Sequence, residues 1–258
     1  MRQLKYTEQH PLTVFEAFAG YGSQSIALER LHRDYGLHYK VVGISEIEPA
    51  AIKAYNAIHG KGIPNFGDIT KINWGGQIPD FELFTYSFPC TSISNAGKQA
   101  GLTEDSGTAS SLLWYCRKAI EIKRPKYLLM ENVKALLQKK FQPQFHKWLH
   151  ELEDFGYTNF YKVLNAKDFG VAQNRERVFM VSIHDCDQPY TFPDGFELTK
   201  CVEDYLDSPA LTRGDYYIDQ TRVTNKVLSD LLDQEYVRVA LEKLYHDEWR
   251  ERMQANSD

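Results

Sequence analysis

From Leu12 to Ile183, short apolar runs alternate with stretches whose hydrophobic positions recur at helical spacing. The runs Leu12–Phe18, Val41–Ser45, Glu82–Tyr86, Tyr127–Glu131, Phe160–Leu164 and Val178–Ile183 predict strands. Between them, Gln24–Leu31, Pro49–His59, Ser111–Lys123 and Phe141–Phe155 predict helices. Pro49 falls in a first turn, where a missing N–H costs nothing, and Gly36 and Gly156 fall where helices stop. Repeated β–α alternation predicts an α/β fold with a doubly wound, mostly parallel sheet. On such sheets ligands sit beyond the carboxyl ends of the strands, so chemistry is expected just after each apolar run. The texture changes near Asp194, after the turn Pro193-Asp194-Gly195. From Thr224 onward, Leu228, Leu231, Leu232, Leu241, Leu244, Tyr245 and Trp249 recur at helical spacing. The expected division is therefore 1–193 and a helical segment over 194–258.

Composition narrows the class. Of 258 residues, 43% are hydrophobic and 25% charged, the balance of a globular chain with a full core. The four cysteines (Cys90, Cys116, Cys186, Cys201) are scattered, which argues against a disulfide framework or structural zinc and fits a reducing, cytoplasmic setting. The first ten residues hold no apolar core of a secretory signal, and no run approaches the ~18 apolar residues of a membrane span. A net charge of −5 does not favour a nucleic-acid partner, but a local basic patch can grip phosphates on an acidic protein. Lys134, Lys139 and Lys140 are one such candidate, best explained as a solvated face; Arg175 and Arg177 are another.

Three features after the early strands suggest an adenosine-containing cofactor. Phe18-Ala19-Gly20-Tyr21-Gly22-Ser23 links a strand to a helix whose first N–H groups are unpaired. Glu46 closes the second strand, where an acid commonly holds ribose hydroxyls. Asp68 follows Asn65-Phe66-Gly67 and can accept from an amino group. Each has a plain alternative, a structural turn or a capping acid, and together they do not separate a nicotinamide from a methyl-donor cofactor.

Phe88-Pro89-Cys90 follows the third strand and opens a loop rich in small polar residues. Most lone cysteines are small buried hydrophobes, but a strand end followed by such a loop suits a nucleophile, provided the thiol is locally activated. Glycines at 97 and 101 are consistent with a moving lid. Glu131 follows Leu128-Leu129-Met130, an apolar setting that would raise its pKa and keep a proton available; a capping or ion-paired glutamate is the alternative. In Gln173-Asn174-Arg175-Glu176-Arg177, two arginines at i, i+2 face one way on an extended segment, either to clamp an anion or to pair with Glu176 or another acid.

In order, FEAFAGYGS (15–23), SEIEPAAIKAYNAIHG (45–60), GDIT (67–70), YSFPCTSISNAGKQAG (86–101), LLMENVKALL (128–137) and LNAKDFGVAQNRERVFMVSI (164–183) resemble the cytosine-carbon-5 DNA methyltransferase family. The resemblance covers about the first three quarters of the chain and implies a Rossmann-like methyltransferase sheet. It implies S-adenosylmethionine as cofactor, lined by Phe18, Ala19, Gly20, Tyr21, Gly22 and Ser23, with Ile69, Ser87 and Pro89. Glu46 would hold the ribose, Ile47 pack on adenine and Asp68 take its amino group. Cys90 would attack carbon 6 of a flipped cytosine in double-stranded DNA, Glu131 engage ring nitrogen 3, and Arg175 with Arg177 hold the nucleotide. No metal is implied. Two departures stand out: Thr91 replaces a common Gln, and the residues after Ile183 are too few for a complete recognition domain and the block that closes the cofactor pocket. The resemblance therefore implies an incomplete chain, a partner chain carrying the recognition part, or a relative that has lost catalysis. A transfer-RNA cytosine is the alternative substrate.

Overall fold

The computed structural model describes residues 5–76, 78–93, 101–104 and 106–206. The helical segment expected from Thr224, and the Gly97 end of the expected lid, lie outside the described residues. The first compact unit ends at Val202 and carries every strand and helix below.

Six strands form one sheet in the order β2-β1-β3-β4-β6-β5. They are β1 (Leu12–Ala17), β2 (Tyr39–Ser45), β3 (Leu83–Tyr86), β4 (Tyr127–Val133), β5 (Tyr157–Asn165) and β6 (Glu176–His184). β1 runs parallel to β2 and β3, and β3 to β4; the two pairings made by β6, with β4 and with β5, are antiparallel. The sheet is thus mostly parallel, as expected. Helices α1 (Ser23–Tyr35), α2 (Pro49–His59), α3 (Cys116–Lys123) and α4 (Gln142–Asp154) supply the crossovers. No helix among the described residues is long and apolar enough to cross a membrane.

The central strands are covered on both faces, which is why they read as continuous apolar runs. Phe15 and Ala17 of β1 join Phe84 and Tyr86 of β3, Met130 of β4, and Trp74, Trp114 and Trp148 in the main core. Val14 packs with Leu28 of α1 on the other face. The Trp148 indole donates to the Tyr86 hydroxyl at 3.2 Å, so these two large buried side chains satisfy each other's polar atoms.

Three elements depart from the sequence reading. The helix expected over 111–123 is two pieces, a 3-10 turn over Ala109–Tyr115 and then α3. Its serines divert the backbone: Ser111 Oγ donates to the Thr108 carbonyl at 2.7 Å and Ser110 Oγ to that of Pro89 at 2.7 Å. β5 begins at Tyr157 rather than Phe160, because an edge strand tolerates the polar run Thr158-Asn159 that conceals it. β4 continues past the expected Glu131 to Val133, and β6 begins at Glu176 rather than Val178, which places Arg177 inside a strand rather than before it.

Candidate active site

The chain leaves β1 through α1 to reach β2, then returns through α2 to β3 on the opposite side of β1. That reversal opens a crevice at the carboxyl ends of β1 and β3. The Phe18–Ser23 loop follows β1 and Ser87–Cys90 follows β3, so both fall at this crevice.

The first loop is unusually bent. Phe18, Gly20 and Gly22 have φ of 56°, 58° and 83°, all left-handed. At Gly20 an added Cβ meets open space; at Gly22 it would lie 2.3 Å from His59 Nε2 and 2.7 Å from Tyr55 Cε2. Gly22→Ala therefore combines backbone strain with a clash against α2, and is expected to cost about 3 kcal/mol. Gly20→Ala is expected to cost about 1 kcal/mol, from backbone strain alone. Urea unfolding checks both: the Gly22→Ala midpoint should fall furthest, with unchanged slope.

Glu46 ties this loop to α2. Its Oε2 accepts from the Gly20 amide at 2.8 Å, and Oε1 accepts from the amides of Ile47 and Glu48, each at 2.8 Å. Ile47 beside it is 66% exposed, an apolar face left open at the end of β2, and Tyr21 on the loop is also exposed. Asn65 links the end of β2 to the segment bearing Asp68, accepting from Glu46 N at 3.1 Å and donating to Glu46 O at 3.0 Å. Asp68 Oδ1 caps the next turn, accepting from Thr70 N at 3.0 Å and Thr70 Oγ1 at 2.8 Å, which holds its carboxyl below the usual range; Lys71 adds to this from 3.4 Å. Ile69 is buried beneath it. Both acids thus have structural duties, yet Glu46 Oε2 and Asp68 Oδ2 each have one partner and can accept a second bond. Two acids, a bare apolar side chain and a glycine-bent loop at a helix start fit an adenosine-bearing group.

Cys90 is half-buried at the margin of the core. Its carbonyl accepts from Ile93 N at 3.0 Å. Ser110, fully buried, holds the neck of the loop: its hydroxyl donates to Pro89 O and accepts from Ser92 N at 3.3 Å. Ser92 O accepts from Gly101 N at 3.1 Å, closing the neck across residues 94–100, which lie outside the described residues. Cys116 contrasts with Cys90: it is fully buried, and burial pushes its thiol well up.

Alternation along β4 sends Glu131 and Asn132 to opposite faces. Asn132 is buried, and its Nδ2 donates to Phe88 O at 3.0 Å, fastening the residues before Cys90 to the strand that bears Glu131. On the other face, Val133 is paired with Arg177 of β6, so Glu131 is the diagonal neighbour of Arg177. Arg177 Nε lies 3.2 Å from Glu131 Oε1. Burial raises the Glu131 pKa; Arg177, Arg175 and a hydrogen bond from Ser87 oppose it without cancelling it. Glu176 does not pair with its flanking arginines but with Lys134, at 2.9 Å, which gives that lysine a specific partner. Lys140 lies over the Phe141 ring.

Sequence reasoning assigned no role to Asn132, Ser110, Asn165 or Gln24. Asn165 accepts from Arg175 N at 3.0 Å and donates to Asn174 Oδ1 at 2.7 Å, shaping the turn before Arg177. Gln24 Nε2 donates to Ser87 Oγ at 2.9 Å, across the crevice from α1 to the end of β3. The available signal for Asn132 was an amide at a position where strand alternation demands an apolar residue.

The fold is that of a methyltransferase. It aligns with the crystal structure of the S. pombe Dnmt2 methyltransferase at TM-score 0.62, with 20% identity over 84% of this chain and 65% of that one. The Entamoeba histolytica methyltransferase EhMeth gives TM-score 0.63, with 19% identity over 81% and 63%. A profile of the C-5 cytosine-specific DNA methylase family matches residues 12–257, and the chain belongs to that family. It is 40% identical to the Type II methyltransferase M2.ScrFI of Lactococcus lactis subsp. cremoris, over 86% of this chain and 74% of the relative. It is 34% identical to the orphan methyltransferase M.SssI of Spiroplasma monobiae, over 66% of this chain and 59% of the relative.

Proposed function

We propose that this chain transfers a methyl group from S-adenosylmethionine to carbon 5 of cytosine in double-stranded DNA, with Cys90 as nucleophile. The observation that carries the reading is the Asn132–Phe88 hydrogen bond, which sets the cysteine loop beside the strand bearing Glu131 and Arg177. Family membership supplies the substrate class.

The cofactor supplies an electrophilic methyl group when bound. Phe18–Ser23 with Ser87, Pro89 and Ile69 line its site, Glu46 and Asp68 offer carboxylate oxygens to the ribose and the adenine amine, and Ile47 offers an apolar face. The Cys90 thiolate adds to carbon 6 while Glu131 gives its proton to nitrogen 3, so the ring gains a nucleophilic carbon 5 without net charge. After methylation at carbon 5 a base removes the proton from that carbon, the electron pair reforms the 5,6 double bond, Cys90 departs as thiolate, and nitrogen 3 returns its proton to Glu131. Arg177 holds Glu131 in place, and with Arg175 grips the flipped nucleotide. Extrusion is required because a thiol cannot reach carbon 6 within a stacked duplex, and costs a few kcal/mol.

Incubation of the chain with methyl-labelled cofactor and duplex DNA, followed by nucleoside digestion, tests this. Label in 5-methylcytosine is expected, weak from this chain alone and stronger once a recognition part is supplied; label on the exocyclic amine, label only in competing transfer RNA, or no label with that part supplied overturns it.

A further inference from the structure

Two bonds on one buried hydroxyl enclose Cys90. Ser110 Oγ donates to the carbonyl of Pro89 at 2.7 Å and accepts from the amide of Ser92 at 3.3 Å, so it touches the backbone on both sides of the thiol-bearing residue. Proline has no N–H, so the carbonyl is the one polar backbone group that residue 89 can offer, and Ser110 takes it. Between these contacts the chain turns tightly: the Cys90 carbonyl accepts from Ile93 N at 3.0 Å, and Ile93 is fully buried. Ser110 belongs to the 3-10 turn whose Leu113 and Trp114 pack in the main core, and Trp114 Nε1 donates to Leu102 O at 2.7 Å. Ser110 itself is fully buried, so its hydroxyl is shielded from solvent.

We infer that Ser110 is a positioning residue for Cys90: its hydroxyl fixes the backbone on both sides of the thiol and thereby sets the line along which sulfur meets carbon 6. Asn132 holds Phe88 O from β4 and fixes the approach to the turn; Ser110 fixes the turn itself. Addition to carbon 6 needs the reacting atoms about 3–3.5 Å apart and aligned, and a displacement of about 1 Å can cost about 10²-fold in rate. Ser110 carries no charge and both of its bonds go to backbone, so it acts on where the thiol sits. The consequence for methyl transfer rests on the reading of Cys90 as nucleophile; the enclosure of the turn does not.

Ser110→Ala and Ser111→Ala, each in the full chain, form the test pair. Both serines are buried and both hydroxyls donate to a carbonyl at 2.7 Å, but Ser111 bonds Thr108 and touches neither side of Cys90. Amide hydrogen exchange at Ser92 reads the turn without reference to activity. Ser110→Ala removes the acceptor of that amide and should speed its exchange by about tenfold, the scale of one hydrogen bond. Ser111→Ala should leave it unchanged. In methyl transfer with a recognition part supplied, Ser110→Ala should lower kcat by about 10²-fold, with KM for duplex DNA and for S-adenosylmethionine within about twofold. Ser111→Ala should keep kcat within about twofold. Should Ser110→Ala fail to fold, Ser110→Cys, near in volume and a weaker donor, carries the same test, at about threefold in exchange and about tenfold in kcat. Unmoved Ser92 exchange, faster exchange with unaltered kcat, or an equal loss of kcat in Ser111→Ala overturns the inference. A wild type that transfers no methyl group even with the recognition part, or a Cys90→Ala variant that still transfers it, overturns the nucleophile reading and with it the catalytic half of the inference. That failure is recognised by Ser92 exchange that still accelerates in Ser110→Ala.

Discussion

Cys90→Ala is expected to lower methyl transfer by about 10⁴-fold or more, the scale at which a covalent pathway is lost. The fold should survive, because Cys90 lies half-buried at the edge of the core and removing its sulfur forfeits only about 1 kcal/mol of burial. Cofactor binding should also survive, since the Phe18–Ser23 loop, Glu46 and Asp68 are held by bonds that do not involve the thiol. Unchanged thermal unfolding and cofactor affinity, alongside absent turnover, would assign the loss to chemistry. Cys116 serves as control: Cys116→Ser introduces a hydroxyl into a fully buried apolar position, and should reduce stability without selectively removing turnover in the folded fraction.

Glu131→Gln is the second large effect, expected at about 10²–10⁴-fold on turnover, the range of a positioned proton donor. The amide fits the same space and can meet ring nitrogen 3, but it cannot give up a proton to it. Burial raises the Glu131 pKa, so the acid keeps its proton to a higher pH than an exposed glutamate. Its contribution as donor is complete well below that raised value and declines as pH rises through it. Arg177 and Arg175 temper the rise. Arg177→Ala should therefore raise the pKa of Glu131 further, while weakening the grip on the nucleotide. A stopped reaction sampled for enzyme–DNA adduct separates the roles: Cys90→Ala should form none, and Glu131→Gln should form it slowly.

Much of this arrangement was legible in residue order because parallel strands place function at their carboxyl ends. Glu46 at the end of β2 and Phe88-Pro89-Cys90 after β3 lie where that rule puts them. Glu131 was read at the end of its strand and Arg177 just before its own, whereas both lie within strands that run further. The antiparallel β4–β6 ladder extends past the point where the apolar runs stop, and makes the two diagonal neighbours. No local pattern announces that pairing, because it depends on register between strands far apart in sequence. The same holds for Asn132, Ser110 and Gln24. Their hydrogen bonds span 44, 21 and 63 positions, and short polar side chains that bond at such separation carry no periodic signature. The serines that divide the expected helix over 111–123 illustrate the converse, local side-chain bonds that override a helical pattern of apolar residues.

The claim that Cys90 attacks carbon 6 has one direct measurement. A duplex carrying 5-fluorocytosine blocks the final step, since carbon 5 then holds fluorine in place of the proton that must leave, and the thioether persists. Incubation with S-adenosylmethionine, digestion with protease and mass analysis should find the nucleotide on the peptide containing Phe88-Pro89-Cys90. A cross-link on Cys116, Cys186 or Cys201, or none under conditions in which unmodified duplex is methylated, would contradict the account.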